Sequence, residues 1–232
     1  MKRIGLVVLG ILIFTSVISY AAVSRRALVQ RIRDAEYNLR YIMASKDSEI
    51  PRQFLKDAYA IIFLKQYKGG FLIGAKGGTG IILAKNKETG EWSPPAFMAT
   101  AEGSFGLQIG GEVIDAILLV MNEEGLTLLL KSPLKIGGEI SAAVGPVGRD
   151  VGLGAGLPAT GLFIYSRARG AFIGGSIEGG FIMCDNEANK IFYGINDITP
   201  REILLDGRVS MPEEAKSLIK ALKKYEGEGT SK

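Results

Sequence analysis

Glycine sets the strongest limit on what this chain can fold into. There are 31 glycines among 232 residues, about twice the usual share of about 7%. Most lie between Gly69 and Gly180. Glycine at this density disfavours helix and marks turns, bulges and close backbone approaches in β structure. From Gly69 to Ile182 the pattern is mainly strands and turns. Phe105, Leu107 and Ile109 alternate with Gly106, Gln108 and Gly110, which gives one bulky and one bare face. Tyr59 to Leu64 and Val113 to Met121 are compact apolar strand signals. Lys135 to Val144, Leu162 to Ser166, Ala171 to Ile177 and Phe181 to Asp185 read as further strands. An internal echo links Gly69-Gly70-Phe71-Leu72-Ile73-Gly74 with Gly170-Ala171-Phe172-Ile173-Gly174-Gly175. Two glycine-rich hairpins in equivalent roles would produce it, and so would convergent use of glycine.

Helical patterns flank this region. Ser24 can cap a helix running to about Ala44. Its Leu28, Ile32, Ala35, Leu39 and Ile42 fall on one narrow stripe at 100° per residue. Arg26, Arg33 and Arg40 are seven apart and fall on the opposite side, so the helix is basic and amphipathic. Pro51 starts a short helix carrying Phe54, Leu55 and Ala58. Asn122 can cap another that reaches Lys131, and Thr199-Pro200 opens a third. Ser210 and Pro212 precede a final helix to about Tyr225, whose Ala215, Leu218, Ile219 and Leu222 form an apolar stripe.

The first 22 residues read as a signal peptide. Lys2 and Arg3 precede an uncharged apolar run from Ile4 to Ile18, and small residues follow at Ala21 and Ala22. Cleavage is expected after one of these alanines. An uncleaved inner-membrane anchor is the alternative, since the segment to Val23 is just long enough to cross a bilayer. The whole sequence has 28 basic and 24 acidic residues, a net +4. Without Lys2 and Arg3 the balance is 26 against 24, or +2. So mild an excess speaks against nucleic acid as a partner. The expected location is periplasmic or membrane-associated.

The side-chain inventory limits the chemistry. Histidine is absent, which removes Ser-His and Cys-His nucleophile pairs and any His-ligated metal. No clustered acidic motif stands out. Glu102, Glu112, Asp115 and Glu178 are scattered among strand residues and read as structural carboxylates. Cys184 is the only cysteine, so no internal disulfide can form. It follows Phe181-Ile182-Met183 and reads as a small buried hydrophobe. Gly152-Leu153-Gly154-Ala155-Gly156 lacks the helix and the later acidic residue of a dinucleotide fingerprint. No catalytic, cofactor or metal site is therefore expected. Lys68, Lys76, Arg149, Arg167 and Arg169 sit beside or close to glycines. Backbone amides next to a cation can hold a phosphate oxygen. Ordinary solvated charge at turn ends is the other reading.

Several ordered motifs carry a family resemblance. They begin with Ile50-Pro51, Ala60-Ile61-Ile62-Phe63 and Lys68-Gly69-Gly70-Phe71, then Gly77-Gly78-Thr79-Gly80. Trp92-Ser93-Pro94-Pro95-Ala96-Phe97 is the most specific, and Gly145-Pro146-Val147-Gly148-Arg149 is the second. Tyr165-Ser166-Arg167, Gly170-Ala171-Phe172 and Glu178-Gly179 complete the set. In these the chain resembles the SYLF domain, also called the yeast-type actin-binding domain. The resemblance implies phospholipid binding aided by an N-terminal amphipathic segment. The export signal makes an actin partner unlikely by this reading. The expected organisation is a signal peptide over 1–22, a basic amphipathic helix over 23–46, a SYLF-like domain over 47–225 and a tail over 226–232. The expected fold is α+β, a curved antiparallel sheet or partly closed β-barrel with flanking N- and C-terminal helices.

The function read from the sequence is non-catalytic binding of phospholipid at an envelope membrane. The alternative is a structural or interaction protein of the envelope that docks a partner through its N-terminal helix. The candidate lipid-binding residues are Arg26, Arg33, Arg40, Lys68, Lys76, Arg149, Arg167 and Arg169. Trp92 is expected to plug the domain's own core, with a lipid interface as the other option.

Overall fold

The computed structural model describes residues 23–44, 49–131, 133–135, 142–144, 161–172 and 181–227. Within these, 68–76, 102–110, 142–144 and 167–172 are described by their backbone alone. The 1–22 leader, Arg149 and the Gly152–Gly156 run lie outside the described residues. Among the described residues no helix is long and apolar enough to cross a membrane.

The elements in chain order are α1 (Arg25–Ala44), α2 (Arg52–Asp57), β1 (Ala60–Ala84), β2 (Ala96–Val120), α3 (Glu123–Lys131), β3 (Leu134–Lys135), β4 (Ala142–Val144), β5 (Leu162–Phe172), β6 (Phe181–Cys184), α4 (Asn186–Tyr193), α5 (Pro200–Leu204) and α6 (Lys216–Glu226). This is the α+β arrangement expected, with a curled sheet between terminal helices. β2 is its centre. β1 pairs antiparallel along it from Ala60↔Val120 to Ile82↔Ala96. On its other side β2 pairs first with β6 and then with β5, both antiparallel. β4 adds to β5 in parallel, and β3 adds to β6.

The two long strands are unbroken where turns were expected. Glycine serves curvature here instead. The register shifts between Phe71 and Ile73, a bulge that bends the ribbon. Beyond it β1 passes over its own beginning. A Cβ built on Gly78 would lie 2.5 Å from Lys65 O, and one on Gly80 would run into Phe63 O. Any side chain there would hold the two halves of β1 apart. The sequence echo also finds its place. Lys68 to Phe71 and Arg169 to Phe172 flank the same stretch of β2, with Gly69 and Ala171 both opposite Gly111.

Apolar runs such as Ala60–Leu64 and Ala116–Val120 are continuous because both sheet faces are covered. Ile61, Phe63, Ile81, Leu83 and Phe97 point to one cluster, which α1, α2, α4 and α6 complete. Ile62, Leu64, Ile82 and Met98 point to the other, under α3 and α5. The helix caps follow the sequence signals. Asn122 Oδ1 accepts from Gly125 N at 2.8 Å, and Thr199 forms a capping box with Glu202.

Three expectations need correcting. Lys135 to Val144 is not one strand, since β3 and β4 join opposite ends of the sheet. α4 was not anticipated, although Asp185 caps it and Gly194 ends it at φ 69°. Glu226 does not belong to a loose tail. It is the last residue of α6 and is fully buried, where it meets the buried ammonium of Lys85 at 2.8 Å. Trp92 is a core residue, and its Nε1 donates to the same Glu226 oxygen at 3.0 Å.

Candidate functional site

α1 starts where Ser24 Oγ accepts from Ala27 N at 3.2 Å. Its stripe of Leu28, Ile32, Ala35, Leu39 and Ile42 is buried in the first cluster. The amphipathic helix is thus seated on the sheet as a core element. That leaves the opposite side in water. Arg26, Arg33 and Arg40 are all exposed there, and the seven-residue spacing keeps them nearly in line. Tyr37 and Tyr41 share this side, 58% and 45% exposed, with ring centroids 6.4 Å apart. Exposed tyrosines among arginines are an amphipathic surface: a ring for an apolar boundary, a charge for an anion.

The charge layout of α1 does not serve the helix itself. Its first turn has no acidic residue and its last turn no basic one, the reverse of what the macrodipole favours. Arg25 is compensated by Glu214 at 2.8 Å. The Glu214 carboxyl is held below the usual carboxylate range by its own backbone N–H and by Arg25. Arg40 pairs along the helix with Glu36 at 2.8 Å.

The flank of α1 overhangs β1 across a polar cleft of about 260 Å³. Lys65 Nζ meets Asp34 at 2.8 Å, and that hydrogen bond raises the Lys65 pKa above its ordinary value. Arg31 meets Asp185 at 3.1 Å. Asn38, 4% exposed, lines the cleft with its Oδ1 lacking a hydrogen-bond partner. Leaving a buried acceptor without a donor costs about 1–3 kcal/mol, so a donor from solvent or a ligand is favoured at this position.

The other sequence-derived candidates are placed differently. Lys68 and Lys76 lie inside β1, in register with Glu112 and Glu102. Arg167 and Arg169 lie inside β5, in register with Asp115 and Val113. They are not at turn ends, because the neighbouring glycines belong to the curl of long strands. Opposite charges at paired positions are an ordinary way to stabilise a sheet. Of the eight candidates, only Arg26, Arg33 and Arg40 are brought together on one described surface. The tyrosines beside them went unnoticed in the sequence, although their i, i+4 spacing opposite the apolar stripe was there to be read. Cys184 is half-buried, and burial pushes its thiol up to about 11. Asp115 and Glu112 are engaged within the protein.

Comparison with known proteins agrees with the motifs. The family described as "Ysc84: Las17-binding protein actin regulator" matches residues 101–225, more than half of the chain. The chain belongs to this family. It is 37% identical over 191 residues to SH3 domain-containing YSC84-like protein 1 of Xenopus laevis, covering 80% of this chain and 56% of that one. It is 34% identical over 180 residues to Protein YSC84 of Saccharomyces cerevisiae, covering 76% and 38%. The human YSC84-like protein 1 is 34% identical over 189 residues, covering 79% and 54%. The chain therefore spans between roughly two fifths and a little over half of these relatives. No solved structure matches. One expectation is overturned. Actin cannot be set aside as a partner class, because the family is described as an actin regulator and a yeast relative is named LAS seventeen-binding protein 3.

Proposed function

We propose that this Ysc84-family chain binds anionic phospholipid surfaces, without catalysis, through the outward side of α1. The observation that carries the reading is the joint exposure of Arg26, Arg33, Tyr37, Arg40 and Tyr41 on a helix whose other side is fixed in the core. A seated helix presents its charges without first having to order them, which lowers the cost of binding. Arginine at an anionic surface contributes about 1 kcal/mol each, and the tyrosines suit the headgroup layer. The setting we propose is an envelope membrane reached by export. No general base of the usual kind supports an enzymatic reading, since histidine is absent. Flotation with phosphatidylglycerol vesicles tests the proposal. Arg26, Arg33 and Arg40 together changed to Gln should weaken binding at least tenfold and flatten its salt dependence. Unchanged binding by that variant would refute the proposal.

A second reading is a protein partner. It is favoured by the family description, which points to actin and its regulators. The same side of α1 would then dock a protein. Co-sedimentation with actin filaments, run with the same triple variant, separates this from lipid binding.

A further inference from the structure

The cleft between α1 and β1 has no part in the lipid or actin readings, and its chemistry is different from that of the arginine side. Three observations define what it can hold. The first is Asn38 Oδ1, a buried acceptor on the wall with no partner. A group that brings a hydrogen-bond donor satisfies it: a carboxylate ion brings none, and phosphate brings a hydroxyl only together with its charge. The second is charge. The lining has two cations, Arg31 and Lys65, and two carboxylates, Asp34 and Asp115. Arg31 pairs with Asp185, Lys65 with Asp34, and Asp115 is engaged as well. An ionic ligand would have to break one of these pairs, whereas a neutral one leaves them intact. The third is the remainder of the wall. Phe63, Leu64 and Gly80 are apolar, while the Thr79 and Tyr67 side chains offer hydroxyls. A volume of about 260 Å³ corresponds to roughly eight or nine waters at about 30 Å³ each. That is the scale of a single sugar ring rather than of a drug-sized molecule.

We infer that this cleft is a binding site for a neutral polyol of about monosaccharide size, held by donation of a ligand hydroxyl to Asn38 Oδ1 with the C–H side of the ligand against Phe63. Such a molecule combines many donors, no charge and an apolar side. The hydroxyls can belong to a free sugar or to a neutral glycolipid headgroup.

Calorimetric and saturation-transfer titration of the 232-residue chain with glucose, myo-inositol and glycerol tests this, with sodium phosphate as the ionic control. Saturable binding of at least one polyol is expected, undiminished by phosphate. Asn38→Leu, which removes the acceptor at similar size, should weaken it at least tenfold while leaving the melting temperature unlowered. Thr79→Val, on the facing strand, should weaken it severalfold, and it keeps the test valid if Asn38→Leu does not fold. Vesicles containing a monoglucosyl lipid separate the two sources. Retention on them that free glucose reverses marks the lipid-borne sugar, and free-sugar binding without retention marks the soluble one. Absence of saturable binding, binding equal in both variants and wild type, or ordered water alone in the cleft after soaking with all three polyols would overturn the inference.

Discussion

α1 and α6 lie side by side on the same face of the sheet, and they are held in different ways. α6 ends in a buried polar lock. Glu226 is buried against Lys85 and Trp92, and Lys85 Nζ stands 5.1 Å from the Trp92 ring centroid. Lys85 also donates to Lys56 O, which ties α2 into the same arrangement. α1 has an apolar seat of the same quality, yet its polar contacts are open. Its ion pairs to Asp185 and Lys65 border a cleft, and its far side carries exposed arginine and tyrosine. The buried charge at the end of the C-terminal helix is therefore spent on the fold, while Lys216, Lys220 and Lys224 stay in water. Charge at the N-terminal helix is available to something outside it.

The difference can be attacked from the lock outwards. Glu226→Ala leaves the Lys85 ammonium buried without its carboxylate, and breaking such a pair costs about 3–5 kcal/mol. Chemical denaturation should show a loss of that size, with no comparable loss on replacing Glu36. Leu39→Ala should cost about 2–5 kcal/mol, which would establish that α1 is as much a core element as α6. A destabilisation well under 1 kcal/mol would mean that α1 leaves the sheet readily in solution. The Asp34–Lys65 pair is partly exposed and should contribute at most about 1 kcal/mol. Its sign with pH is defined. The folded Lys65 pKa is raised above 10.5 by Asp34, so the contribution is complete below that value and is lost as pH rises through the folded pKa. Melting temperatures of wild type and Asp34→Asn should therefore differ at pH 8 and converge in strong alkali. The triple Gln variant on the outer side should change stability least, by about 0.5 kcal/mol per site or less, while changing vesicle binding most.

Much of this was legible in advance, and the failures share a cause. The helix from Ser24, its buried stripe and its arginine spacing were plain from periodicity, because an amphipathic helix writes its geometry locally. The α+β class followed from glycine and apolar runs, and the SYLF motifs pointed to the family. What could not be read was non-local. Gly78 and Gly80 look like turn residues until β1 is seen to cross itself. Glu226 looks like the start of a tail, since its partner Lys85 is 141 positions away. The strand cations looked like loop residues for the same reason as the glycines beside them. Asn38 sits 80° from the apolar stripe's centre at roughly 100° per residue, and nothing local distinguishes a cleft-lining amide from a solvated one.

The long β1–β2 ribbon also constrains how the molecule can come into being. Its pairing begins at Ile82↔Ala96, across the Asn86–Gly90 turn, and ends at Ala60↔Val120. Sequence separation between partners thus grows from 14 to 60 residues along one continuous ladder. β5 can add only to a β2 already in place, and the lock on Lys85 waits for Glu226. Topologies dominated by such distant pairings acquire their structure slowly, in about milliseconds to seconds. Trp92 lies beside the turn where zipping starts and bonds the residue that finishes it. Its fluorescence in stopped-flow refolding should recover on that slow scale, and microsecond recovery would mean the ribbon does not form as one ladder. A newly made chain can therefore pair β1 with β2 once Val120 has emerged but cannot close its core until Glu226 follows, a window in which it can still be captured by a chaperone.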